Sequence, residues 1–188
     1  ELEIDRRLER VRADVASMTK SGDLVAVVEV VAESLQGLGV PCTVVGIETV
    51  DEAAGLWHTH HVGEGVTAYP LSAGPAVEVY DHWKSGETWH RQWPASKLKR
   101  NAKELRAAGF TELADRWDRG FKGYTAGLWS VDVPFAHGSV AMHKSDAEGQ
   151  FSDDDVRLLE RFAEVVSLAY TRFLDFQRLE ADAQRARI

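Results

Sequence analysis

A chain of 188 residues is long enough to bury one substantial hydrophobic core, so a single domain is the first expectation. Its 22 Lys and Arg against 30 Asp and Glu leave a net charge of −8, the wrong balance for neutralising phosphates, which argues against direct nucleic-acid binding. No apolar run approaches the ~20 residues that span a bilayer, the lone Cys42 excludes an internal disulfide, and no charged-then-apolar signal segment opens the chain, so a cytoplasmic location is expected.

In chain order, Ile4, Leu8, Val11, Val15 and Met18 recur at spacings of 4, 3, 4 and 3, the a/d seam of a coiled-coil helix. A second helix is predicted after Ser21, a candidate N-cap. It carries Leu24, Val27, Val28, Val31, Leu35 and Leu38 on one stripe and stops between Gly37 and Pro41. The β-branched CTVVGIETV, the stretch LWHTHHV and the segment VTAYPL then read as three strands joined by the tight connections DEAAG and GEG, an antiparallel meander. Pro75 opens a short helix, PAVEVYDHWKSG, and ETWHRQW is extended again. SKLKRNAKELRAA, ending before Gly109, and TELADRWDRG read as two polar helices, the first with a solvated charged face. Two long strands follow, GLWSVDVPF and GSVAMHKS, joined at Ala136 to Gly138. The last element begins at Ser152, where S-x-x-D with Asp155 forms a capping box, and runs to Ile188 without Gly or Pro. Phe176, Leu179, Ala183 and Ala186 in its second half form another seam at 3, 4 and 3 spacing.

Three histidines fall within LWHTHHV. Strand alternation puts His58 and His60 on one face and Trp57, Thr59 and His61 on the other, so only two imidazoles converge from this strand. A metal site would need a third ligand such as His90, His137 or His143. His58 and His60 therefore stand as surface or core histidines, or as hydrogen-bonding groups of a ligand site, and no metal is expected. Cys42, on a strand, reads as inert packing. No G-x-S-x-G, H-E-x-x-H, phosphate-binding loop or dinucleotide fingerprint occurs, so catalysis is not expected.

The order of elements, together with VPFAHGSVAMHKSDAEGQFSDDDVRLLERFAEVVSLAYTRFLDFQRLE, resembles a GAF domain, a sensory relative of PAS. VYDHWKSGETW is similar to the W-K-x-G-E element of GAF-like modules in bacterial multidomain signalling proteins, often histidine kinases, and RRLERVRADVASMTKSGDLVAVVEVVAESLQGLG is similar to the linker and first helices that open them. The Asn-Lys-x-x-x-Phe signature of cyclic-nucleotide GAF domains is not in register, and the late-loop cysteine of bilin binders is absent, so neither ligand carries over. The resemblance implies an α+β fold. A central antiparallel sheet would carry the first and last helices on one side and crossover helices on the other, the side where ligands of this fold sit. It divides the chain into a linker helix over 1–20, a GAF-like sensory domain over 21–174 and a signalling helix over 175–188.

On that frame Trp83, Trp89, Trp93, Trp117 and Trp129 fall in or beside the segment that roofs the pocket. They either fill the core or wall a site for an apolar or planar small molecule, with His58 and His60 as candidate polar contacts. The cofactor, if any, is not specified. The terminal seams either pack on their own domain or join two chains in a parallel homodimer, the expected arrangement. The opening ELEID lacks a methionine and both ends are helical, so the chain is expected to be one module of a longer relay whose output domain follows in the same polypeptide. The function expected is small-molecule sensing in a signalling protein; the alternative is a dimeric connector whose pocket is filled by its own side chains.

Overall fold

The computed structural model describes residues 1–19, 23–62 and 65–186. The candidate N-cap Ser21 and part of the GEG connection lie outside them. Among the described residues there are six α-helices, α1 (Leu2–Ala16), α2 (Leu24–Gly37), α3 (Pro75–Trp83), α4 (Ala95–Ala107), α5 (Thr111–Gly120) and α6 (Asp153–Arg185). Six strands accompany them, β1 (Val44–Asp51), β2 (Leu56–His61), β3 (Gly65–Pro70), β4 (Trp89–Pro94), β5 (Gly127–Phe135) and β6 (Gly138–Ser145). The strands form one sheet in the order β3-β2-β1-β6-β5-β4, every pairing antiparallel. The meander β1-β2-β3 is present as expected. The join between the two halves is the pairing of β1 with β6, where Ile47 faces Val140 across the ladder.

Period-two alternation gives each central strand two faces, and both are used. Val45 and Ile47 of β1, Val131 and Val133 of β5, and Val140 and Met142 of β6 point to a layer made by α1, α2 and α6. The other face meets α3, α4 and α5 through a smaller core that includes Trp57, Tyr69, Trp93, Leu105 and Trp117. This is the two-sided arrangement implied by the GAF resemblance. Close approach shapes the β1–β6 join as well: a Cβ on Gly138 would run into the backbone of Glu48.

The capping box at the start of α6 forms as read from the sequence. The Ser152 hydroxyl accepts from the Asp155 N–H at 3.2 Å, and the Asp155 carboxylate accepts from the Ser152 N–H at 2.9 Å. At ~1.5 Å per residue, α6 is about 50 Å long. Phe173 is its last buried residue; beyond it Phe176 and Leu179 are 46% and 68% exposed.

The seam on α1 is covered by the chain's own helices, one of the two arrangements that its spacing allows. Leu8, Val11 and Val15 are buried within their own chain, against α2 and α6. Ion pairs fix that docking: Arg161 of α6 reaches Glu1 at 3.3 Å and Asp5 at 2.8 Å, and Arg10 meets Glu33 of α2 at 3.2 Å. An apolar stripe at heptad spacing is satisfied by any helix that covers it, and here the chain's own helices do so. The a and d positions from Leu8 to Val15 are therefore already buried within the single chain. Met18, the last residue of the seam, lies past the end of the helix and is also buried.

Candidate ligand-binding cavity

Between the sheet and the α3–α5 layer lies a cavity of about 110 Å³, room for several water molecules or a small organic molecule. Its floor is the sheet face formed by alternate residues of β1, β2, β4, β5 and β6: Glu48, His61, Arg91, Ser130, Asp132 and His143. Its walls and roof are largely aromatic, with Trp57, Tyr69, Trp93, Trp117, Phe121 and Tyr124. Several rings brace one another: Trp117 packs edge-on to Tyr69 at a centroid distance of 5.8 Å and lies 4.2 Å from Phe121. Trp117 also donates its indole N–H to the Leu98 carbonyl at 3.0 Å, and Arg106 ties α4 to α5 through Asp115 and Asp118 at 2.7 and 2.6 Å.

The floor holds three charged side chains away from water. Asp132, 4% exposed, accepts from Arg91 Nη1 at 2.6 Å and from the Ser130 hydroxyl at 2.7 Å. The Arg91 guanidinium is sandwiched by two rings, 3.6 Å from the centroid of Trp89 and 4.6 Å from that of Trp93. Glu48, 6% exposed, accepts from the Trp57 indole N–H at 2.8 Å and from the Ser139 hydroxyl at 3.3 Å. The His61 ring nitrogen stands 4.0 Å from its other oxygen. Burial, reinforced by the nearby Asp132 charge, pushes the Glu48 carboxyl up to about 7, against the opposing pull of His61, the Trp57 hydrogen bond and Arg91. Gly46 makes room for this arrangement, since a Cβ there would collide with the His61 imidazole.

Of the residues anticipated from sequence, Trp93 and Trp117 line the cavity. Trp83 and Trp89 instead border a much smaller hollow with Val79, His82 and Pro134, and Trp83 pins α3 to the sheet by donating to the Phe135 carbonyl at 2.8 Å. Trp129 projects from the opposite face of β5 and packs against the α1–α2–α6 layer and His90. His58 and His60 point away from the cavity, because Trp57, Thr59 and His61 are the residues of β2 that face it. The alternation on β2 was legible; which set faces inward follows from Trp57, 2% exposed, which carries its face into the core. Burial beside His58 and His61 lowers His60 to about 4.

Sequence reasoning passed over Trp57, Glu48, His61, Arg91 and Asp132. A signal was present for two of them: Glu48 interrupts VVGIETV and Asp132 interrupts WSVDVPF, charges in the middle of otherwise apolar strands. Among the described residues no three His, Cys, Asp or Glu side chains gather as a metal-binding group. His90 lies tilted beside Phe151, His137 edge-on to Tyr170, and His143 edge-on to His61. Burial raises the Cys42 thiol to about 11, which keeps it protonated and unreactive. No described helix is long and apolar enough to cross a membrane.

No protein-family model matches the chain, and no curated protein does. Among solved structures it is similar to the GAF domain of a phosphoenolpyruvate-protein phosphotransferase from Coxiella burnetii, at 11% identity and a TM-score of 0.51, covering 91% of this chain and 95% of that one. It is also similar to the GAF domain of an Acinetobacter phosphoenolpyruvate-protein phosphotransferase, at 16% identity and a TM-score of 0.46, covering 88% and 93%. At 11% identity the likeness to the Coxiella domain speaks to architecture. With the six-stranded antiparallel sheet, the helices on both faces and the long exit helix, it establishes that the chain has a GAF-like fold.

Proposed function

We propose that this domain is a sensory input module of a bacterial signal-transduction protein, of the histidine-kinase type, that binds a small molecule in the cavity and passes the event to α6. The observation that carries the reading is the cavity itself: aromatic walls over a buried Glu48–Arg91–Asp132 floor, with space that the chain's own side chains do not fill. That unfilled space weighs against a connector with a self-filled pocket. The role is binding, not catalysis.

A physical route to α6 supports the relay. Strand β4 turns Arg91 and Trp93 toward the cavity while, on its other side, His90 lies 6.2 Å ring to ring from Phe151, just before α6. Thr88, preceding β4, donates to Glu160 of α6 at 2.7 Å. A ligand that shifts β4 would thus act on the first turns of α6, by as much as its affinity differs between the two positions.

A suitable probe is 2-phenylethanol, followed by tryptophan fluorescence. Saturable binding is expected in the wild type and none in Thr59→Trp, whose indole would occupy the space beside Glu48. Equal binding to both proteins would place the probe elsewhere and defeat the cavity reading.

The homodimer in this reading uses the exposed stripe of Phe176 and Leu179 on α6 rather than the seam on α1. Leu179→Lys is accordingly expected to shift sedimentation from dimer to monomer with little change in melting temperature. Leu8→Lys is expected to cause unfolding instead, because a buried Leu contributes about 1.5 to 3 kcal/mol and a charge takes its place. A wild-type monomer at micromolar concentrations would end the dimer proposal.

A further inference from the structure

The cavity floor presents two carboxyl groups and one guanidinium. Asp132 has a full cation in Arg91, held at 2.6 Å. Glu48 accepts from Trp57 and Ser139, both neutral, and has the His61 imidazole 4.0 Å from its other oxygen; among the described residues no Lys or Arg forms an ion pair with it. Two carboxyl groups therefore stand beside one buried guanidinium, which is already paired with Asp132. The other titratable groups that line the cavity are His61 and His143 on the floor, Tyr69 and Tyr124 in the walls, and Arg116 at the exposed rim. Above the floor stand the rings of Trp57, Tyr69, Trp93, Trp117, Phe121 and Tyr124, and aromatic faces carry negative potential that attracts a cation stripped of water. An anionic ligand would meet both carboxylates, and an uncharged one would gain from the rings alone.

Resting on the cavity reading above, we propose that the ligand is a small organic ammonium ion, its apolar body held among the aromatic rings and its charge against Glu48. The cation completes the charge pattern and holds Glu48 ionised. Because Glu48 retains its proton up to about pH 7 in the empty cavity, binding below that pH releases one proton. The bond balance is simple: the carboxyl O–H breaks, the proton goes to solvent, and the carboxylate pairs with the ammonium.

Three probes that share a phenyl group and differ in charge test this: 2-phenylethylamine, 2-phenylethanol and phenylacetate, titrated by tryptophan fluorescence at pH 8 and pH 6. At pH 8 the amine is expected to bind at least about tenfold more tightly than the alcohol, and phenylacetate most weakly. Between pH 8 and pH 6 the amine's affinity should fall by about tenfold, the change that one linked proton with a value near 7 produces over that range, while the alcohol's stays constant. In Glu48→Gln, which keeps an acceptor for Trp57, the amine should bind no better than the alcohol and show no pH dependence. Phenylacetate binding as tightly as the amine, or an amine preference that survives Glu48→Gln, overturns the proposal. Alcohol binding without an amine preference overturns it while leaving the cavity reading intact; binding by none of the three overturns both.

Discussion

Glu48→Gln is expected to stabilise the fold at pH 8 by on the order of 3 kcal/mol and to leave stability at pH 4 nearly unchanged. The carboxyl has an ordinary value of 4.5 and lies near 7 in the folded chain, chiefly because burial disfavours its charge. The folded state therefore holds this proton more tightly than the unfolded one does. That preference contributes stability in full below pH 4.5, is lost as pH rises, and is gone above about 7, where the wild type must bury an ionised Glu48. Glutamine is nearly the same shape, can accept from Trp57 and Ser139, and never ionises. Urea unfolding of both proteins at pH 4, 6 and 8 should give curves that diverge through this window; a constant difference across it would show that Glu48 does not carry the pH dependence.

Arg91→Met should be the most damaging single change at the cavity, costing about 3 to 5 kcal/mol at pH 7. It leaves Asp132 buried with only the Ser130 hydroxyl as a close partner, and it removes the cation between Trp89 and Trp93. The penalty belongs to the stranded carboxylate, so Arg91→Met with Asp132→Asn should recover most of it. Denaturant unfolding of the two single variants and the double variant checks this as a cycle. Additive losses would mean that the 2.6 Å ion pair is not what Arg91 contributes.

These expectations rest on side chains that the sequence disclosed unevenly. The capping box of Ser152 and Asp155, the helix opened by Pro75, and the strands flanking Ala136 to Gly138 were legible because local spacing and turn chemistry determine them. The GAF-like arrangement was legible from their order. The partner of the Leu8–Val11–Val15 seam was not, since heptad spacing is identical whether the covering helix belongs to the same chain or another. Nor was the inward face of β2, because alternation separates His58 and His60 from Trp57, Thr59 and His61 without saying which set meets the core. Trp129 was placed near the pocket by its segment and lies on the other side by its parity on β5. Arg91 meets Asp132 only because β4 pairs with β5, forty-one residues later in the chain, and no local signal encodes that register.

The twelve residues of α6 beyond Phe173 make the exit helix a lever with its fulcrum at the edge of the core. They extend for about 18 Å with nothing buried along them. A rigid tilt of about 10° at Phe173 would carry Arg185 sideways by about 3 Å, more than half of the ~5.4 Å pitch that separates successive turns of a packed helix. Glu160 sits thirteen residues, about 20 Å, on the other side of that fulcrum, so the two arms are nearly equal and a displacement at the Thr88–Glu160 contact would reach the far end at about its own size and in the opposite direction.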